Sequence, residues 1–136
     1  MTILALLSGG MDSTALVALL RSTYSAPEVE VLSVNYGQRH VKEIAAAKAV
    51  ADHFAVHHTV LDLTSITKHL NSVLTSENTE VPDGHYTEET MRATVVPNRN
   101  AIMLMCAAGV ASSRGHSAVY TAVHAGDHFI YPDCRP

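Results

Sequence analysis

Apolar residues along this chain fall into two alternating patterns. Short continuous runs of strand length are separated by longer stretches with helical spacing. Thr2–Leu7 is an unbroken apolar run, suited to a strand buried on both faces. Val29–Asn35 (Val29, Val31, Leu32, Val34), Thr59–Leu63 and Ala118–Val123 predict three further strands. Between them, Ser13–Ser22 groups Leu16, Val17, Leu19 and Leu20 as a helix. Val41–Phe54 carries Ile44, Ala45, Ala47, Ala49, Val50 and Phe54, an Ala-rich helix able to pack closely on a sheet. Ser65–Val73 is a weaker helix, and Asn100–Arg114, ended by Gly115, a strong one with Ile102, Met103, Met105, Cys106 and Val110 as its apolar set. Strand and helix in alternation predict an α/β fold, a three-layer sandwich with a mostly parallel sheet. Residues 75–96, from Ser76 through His85 above all, break the rhythm with turn formers and no period.

In such sheets ligands collect beyond the carboxyl ends of the strands. The segments leaving those ends are Ser8–Ser13, Tyr36–His40 and His124–Pro136, with the 75–96 loop entering the Asn100 helix nearby. Of these, Ser8-Gly9-Gly10-Met11-Asp12-Ser13 carries the most chemistry. Two glycines permit a tight turn and a close backbone approach. Successive N–H groups, the Ser8 and Ser13 hydroxyls and a helix N-terminus offer donors to an anion. The plainer alternative is a strand-to-helix turn capped by Asp12 or Ser13. Strand, glycines, hydroxyls and helix coincide here, which favours phosphate. Neither the dinucleotide fingerprint nor the lysine-bearing P-loop is present. A loop of donors without that lysine suits an anionic leaving group better than γ-phosphoryl transfer.

Composition narrows the classes. The 136 residues fit one domain, and 47% apolar with only 16% charged residues exclude a disordered chain. No apolar run approaches the ~18 residues needed to span a bilayer, and no signal-peptide pattern opens the chain. Nine basic against thirteen acidic residues leave a net charge of −4, which disfavours a nucleic-acid partner. The only cysteines, Cys106 and Cys134, are too few for a disulfide framework or a tetrathiolate zinc site. A cytoplasmic setting is expected.

The Ser-Gly-Gly-x-Asp-Ser loop resembles the signature of the ATP pyrophosphatase (PP-loop) superfamily. Asn35-Tyr36-Gly37-Gln38-Arg39-His40, Val95-Val96-Pro97-Asn98-Arg99-Asn100 and Tyr131-Pro132-Asp133-Cys134-Arg135-Pro136 follow in order. Together the four segments resemble the 7-cyano-7-deazaguanine synthase (QueC) family of queuosine biosynthesis, from residue 2 to residue 136. Asn35 stands where that family often has Asp, and Asn98 where it often has Gly. The resemblance implies an adenine nucleotide alpha hydrolase-like fold and a ligase using ATP, Mg²⁺ and ammonia to convert 7-carboxy-7-deazaguanine to the nitrile. It also implies a homodimer, and beyond the last motif a further helix, a strand and a four-cysteine zinc cluster. The 136 residues are therefore expected to be a single PP-loop domain cut short before the zinc segment, whose ligands are absent. A related PP-loop enzyme on another acceptor, tRNA-modifying or amide-forming, and an inactive nucleotide-binding fragment are the alternatives.

On this resemblance Leu7, Ser8, Gly9, Gly10, Met11, Asp12, Ser13, Thr14, Ala15, Leu16 and Val17 would form the ATP loop and its supporting helix. Ser8, Asp12, Ser13, Arg99 and Asp133 are the candidate catalytic residues. Arg99 reaches phosphate as a fork or is a surface arginine; Asn100 binds nucleotide or caps its helix. Gln38, Arg39, His40, Asp127, Tyr131, Asp133 and Arg135 are assigned to substrate. Asp133 is favoured for the guanine-like ring, because a carboxylate accepts from ring N–H and exocyclic amine together. Cys134 is a nucleophile or a structural thiol, and Cys106 with the Met103 stretch is expected in the core. His124 and His128 have metal-like spacing, but Gly126 opposes the helix that would align them. His53, His57 and His58 are expected on the surface.

Overall fold

The computed structural model describes residues 1–37, 41–69 and 99–123, with only the backbone of Arg99. Strands β1 (Ile3–Leu6), β2 (Val29–Asn35), β3 (His57–Asp62) and β4 (Ala118–Tyr120) form one sheet in the order β3-β2-β1-β4. All pairings are parallel, with Ile3 opposite both Val29 and Ala118. Helices α1 (Met11–Thr23) and α2 (Val41–Phe54) cover one face and α4 (Arg99–Arg114) the other; α3 (Thr64–Thr67) is a single turn. This is the expected α/β sandwich.

β1 is buried along its whole length because it is central and covered twice. Ile3, Ala5 and Leu7 pack with Val17 and Leu20 of α1 and Ala47 and Ala51 of α2. Leu4 and Leu6 meet Ala107 and Ala111 of α4. Small residues at the helix contacts let α2 and α4 lie close to the strands, as the alanine content of α2 foretold.

Several boundaries move. β2 and α2 keep their expected limits, but β4 stops at Tyr120 and β3 starts two residues early, at His57. α1 starts at Met11 rather than Ser13, because Gly10 is extended (φ −79, ψ 173) and serves as N-cap, not Asp12 or Ser13. The Gly10 carbonyl accepts from the Thr14 N–H (3.1 Å) and the Thr14 hydroxyl (2.7 Å). Met105 is 70% exposed, and Cys106 only half-buried. The buried stripe of α4 runs Met103–Ala107–Val110–Ala111, and at about 100° per residue Met105 lies across the helix from Met103. Of the expected Ser65–Val73 helix only residues 65–67 are helical among the described residues, as part of α3 (Thr64–Thr67).

At the amino ends of the strands, buried Glu30 organises a polar cluster that the sequence did not announce. Its carboxylate accepts from Arg114, from the Thr59 hydroxyl (3.0 Å) and from His116 Nε2 (2.6 Å), whose Nδ1 meets Thr2 (3.0 Å). The cluster ties the end of α4 to three strands. Replacing Glu30 by Ala strips these partners of their shared acceptor, and urea unfolding is expected to show a loss of about 3 kcal/mol. A loss below about 0.5 kcal/mol would contradict this role.

Candidate functional site

β1 is followed by a crossover to β2 on one side, while β4 lies on its other side. The order in which successive strands are laid down therefore changes side between the parallel strands β1 and β4, and a crevice opens at their carboxyl ends. A cleft of ≈ 300 Å³ occupies it. Leu7, Ser8 and Gly10–Ser13 form one wall, Thr121–Val123 another, with Asn100 and Met103 of α4 and Tyr36 after β2 closing the rest.

The loop is built as a donor cradle. With Gly10 as N-cap, the N–H groups of Met11, Asp12 and Ser13 have no acceptor within α1. The dipole of α1 adds to their pull on an anion. The Ser8 and Ser13 hydroxyls lie 3.1 Å apart, and Ser13 Oγ also accepts from the Ser8 N–H (3.1 Å). Ser13 is buried and fixed from below, while Ser8 and Asp12 are exposed at the cleft.

The two glycines have different jobs. Gly9 has φ +86, and a Cβ there would fall 2.6 Å from the Glu43 carbonyl oxygen and 2.9 Å from the Ala47 nitrogen. Its close approach is thus to α2, not to a ligand. A Cβ on Gly10 would meet only Ser8 Oγ, at 3.4 Å. Gly37 (φ +145) turns the chain after β2, its N–H held by Asn35 Oδ1 at 2.9 Å. An aspartate would present the same acceptor, so Asn35 keeps this turn despite differing from the usual residue.

Of the remaining predicted site residues, Thr14 is turned to the Gly10 carbonyl, Ala15 is exposed, and Leu16 and Val17 belong to the α1–α2 core. Asn100 lines the cleft. Gln38, Arg39, His40, Asp127, Tyr131, Asp133, Arg135, Cys134, His124, His128 and the Arg99 side chain lie outside the described residues. Sequence reasoning missed Glu43, Ile44 and Thr121 as lining residues. It also missed Ser33, signalled only by a serine inside an apolar strand. Among the described residues no group of three or more His, Cys, Asp or Glu side chains is placed to hold a metal ion. None of their helices is long and apolar enough to cross a membrane.

The family model described as queuosine biosynthesis protein QueC matches residues 2–136. The chain belongs to the QueC family. Among curated relatives, the 7-cyano-7-deazaguanine synthase of Brucella anthropi is 50% identical over 136 residues, all of this chain and 58% of its own length. That of Rhizobium meliloti is 51% identical over 137 residues, 57% of its length. That of Rhizobium etli reaches 53% over 130 residues, 95% of this chain and 54% of its own. The chain thus spans a little over half the length of these family members. Among solved structures, an NH3-dependent NAD synthetase from Campylobacter jejuni, in complex with nitrate, is similar at 20% identity and TM-score 0.45, covering 59% of this chain and 34% of that one.

Gly9→Ala tests the separation of glycine roles. The positive φ and the collision with α2 are expected to cost about 3 kcal/mol in chemical denaturation. Gly10→Ala, with space for a methyl group and φ −79, is expected to cost about 1 kcal/mol or less. Equal losses would overturn the assignment.

Proposed function

We propose that this chain carries the ATP site of a 7-cyano-7-deazaguanine synthase and that the Ser8–Ser13 loop grips the pyrophosphate moiety. The observation that carries this reading is the donor cradle of α1 opening into the switch-point cleft, in a chain of this family. The cleft volume falls in the range of small-molecule sites, roughly 300–1,000 Å³.

The reaction needs a poor electrophile activated twice. The substrate carboxylate attacks the α-phosphorus of ATP, the bond to the β-phosphate oxygen breaks, and pyrophosphate leaves. Ammonia then displaces AMP to give the amide. The amide oxygen is adenylated in turn, and its departure with AMP and loss of the nitrogen protons leave the nitrile. Negative charge builds on the departing pyrophosphate in each adenylation. The N–H groups of Met11, Asp12 and Ser13 and the exposed Ser8 hydroxyl are prealigned to receive it, while the buried Ser13 hydroxyl, donating to the Gly10 carbonyl (3.3 Å), holds the loop in place, so little reorganisation is needed as the charge develops. Mg²⁺ would supply further charge neutralisation on the phosphates, with Asp12 the loop carboxylate nearest to hand. Arg99, at the first turn of α4, is the guanidinium proposed to join it. Asp133, with Gln38, Arg39, His40, Asp127, Tyr131 and Arg135, is proposed to recognise the deazaguanine acid. The −4 charge suits a small-molecule substrate rather than tRNA. Homodimerisation, a cytoplasmic location and zinc in the longer family members complete the proposal.

Incubation with 7-carboxy-7-deazaguanine, ammonium and ATP should give amide, nitrile and AMP by mass spectrometry, using this chain and a version extended at its C-terminus to family length. Absence of AMP from both would contradict the ligase reading. Ser8→Ala and Asp12→Ala are each expected to weaken ATP binding about tenfold by calorimetry, in protein with an unchanged circular dichroism spectrum. Unchanged affinity in both would remove the phosphate loop from the account.

A further inference from the structure

Beneath the loop runs a chain of two hydrogen bonds through Ser33 and His58, neither of which lines the cleft. Leu7 is the last residue of the first strand region to stay in the sheet ladder, its N–H donating to the Leu32 carbonyl at 2.9 Å. Its own carbonyl accepts instead from the hydroxyl of Ser33, at 2.5 Å. Ser33 lies within β2 and is 1% exposed. Its Oγ also lies 2.8 Å from Nε2 of His58, on the edge strand β3. Proton bookkeeping fixes the direction. A carbonyl can only accept, so the single Ser33 proton goes to Leu7, and His58 Nε2–H must donate to Ser33.

We propose that Ser33 and His58 are positioning residues for the phosphate loop: the relay from His58 through Ser33 to the Leu7 carbonyl sets the direction in which the chain leaves the sheet. A side-chain donor at this carbonyl replaces the next rung of the ladder and turns the chain off the line of β2 directly before Ser8. The contact of Gly9 with α2 fixes the loop one step later. With both ends of the Leu7–Gly9 turn held, the N–H groups of α1 keep one orientation. His58 is therefore not the surface histidine expected from sequence. Burial pushes its pKa down, against a smaller opposing pull from Asp52 and with His57 and Lys48 adding to the depression.

This inference rests on the phosphate-loop reading for its consequence, but its structural half can be read without ligand. Hydrogen exchange on the full chain should show the hydrogen-bonded loop amides, Ser8 (to Ser13 Oγ), Gly10 (to Ser8 Oγ) and Thr14 (to the Gly10 carbonyl), exchanging about tenfold faster in Ser33→Ala and in His58→Phe, while Ala5 and Leu6 keep their protection. Ser33→Thr, which keeps the hydroxyl, should restore the slow exchange. ATP affinity should follow the same order, weaker by about tenfold in the first two variants and close to the parent in the third. Unchanged loop exchange in both Ser33→Ala and His58→Phe would overturn the inference. So would exchange that rises equally through β1, the signature of general destabilisation. If loop exchange responds as described but the parent chain binds no ATP, the positioning role stands and the ATP reading falls.

Discussion

At Gly9 the loop after β1 presses on the backbone of α2 with no room for a methyl group. The rest of the site depends on that contact. It requires a residue without Cβ at positive φ, and a helix whose facing residues, Ala46 and Ala47, are small enough to come near. Once the chain is pinned there, Gly10 is left extended as N-cap and α1 starts with its free N–H groups at the mouth of the cleft. The same approach anchors α2, whose Ala47 and Ala51 fill the core over β1 and β2. Packing and anion cradle are thus two consequences of one missing side chain.

The opposite end of the sheet is held differently. Glu30, Arg114, His116, Thr2 and Thr59 form a polar clasp between strands and the end of α4, three residues before Ser33 on β2. A buried carboxylate is costly unless fully partnered. Its partners arrive from both sides of the sheet order, so the clasp forms only when β1, β2, β3 and α4 are already in register. It secures the scaffold that the loop end exploits.

Much of this was legible in the residues. The period of the apolar positions gave the order of elements, and β2 and α2 match to the residue because Asn35, Val41 and Phe54 sit at sharp changes of pattern. The Ser8–Ser13 loop was legible because its glycines and hydroxyls occur where a strand becomes a helix. What escaped were properties of side chains meeting across sequence. Nothing local distinguishes Gly9, packed on a helix, from Gly10, open to the cleft. Met105 looked like core because methionine is apolar, although its place on α4 turns it outward. His58 was expected on the surface and His116 carried no local signal at all, until Ser33 and Glu30 were brought beside them. The family motifs at Gln38–His40 and Tyr131–Pro136 were legible as sequence, but lie outside the described residues.

The central claim is that the first turn of α1, framed by Ser8 and Ser13, is where pyrophosphate sits. Titrating inorganic pyrophosphate into ¹⁵N-labelled protein and following amide resonances tests this without any catalytic step. The largest shift changes are expected at Gly10, Met11, Asp12 and Ser13, with smaller ones at Thr121–Val123 across the cleft. Saturable binding whose largest changes fall elsewhere, or no change in the α1 first turn, would contradict the account.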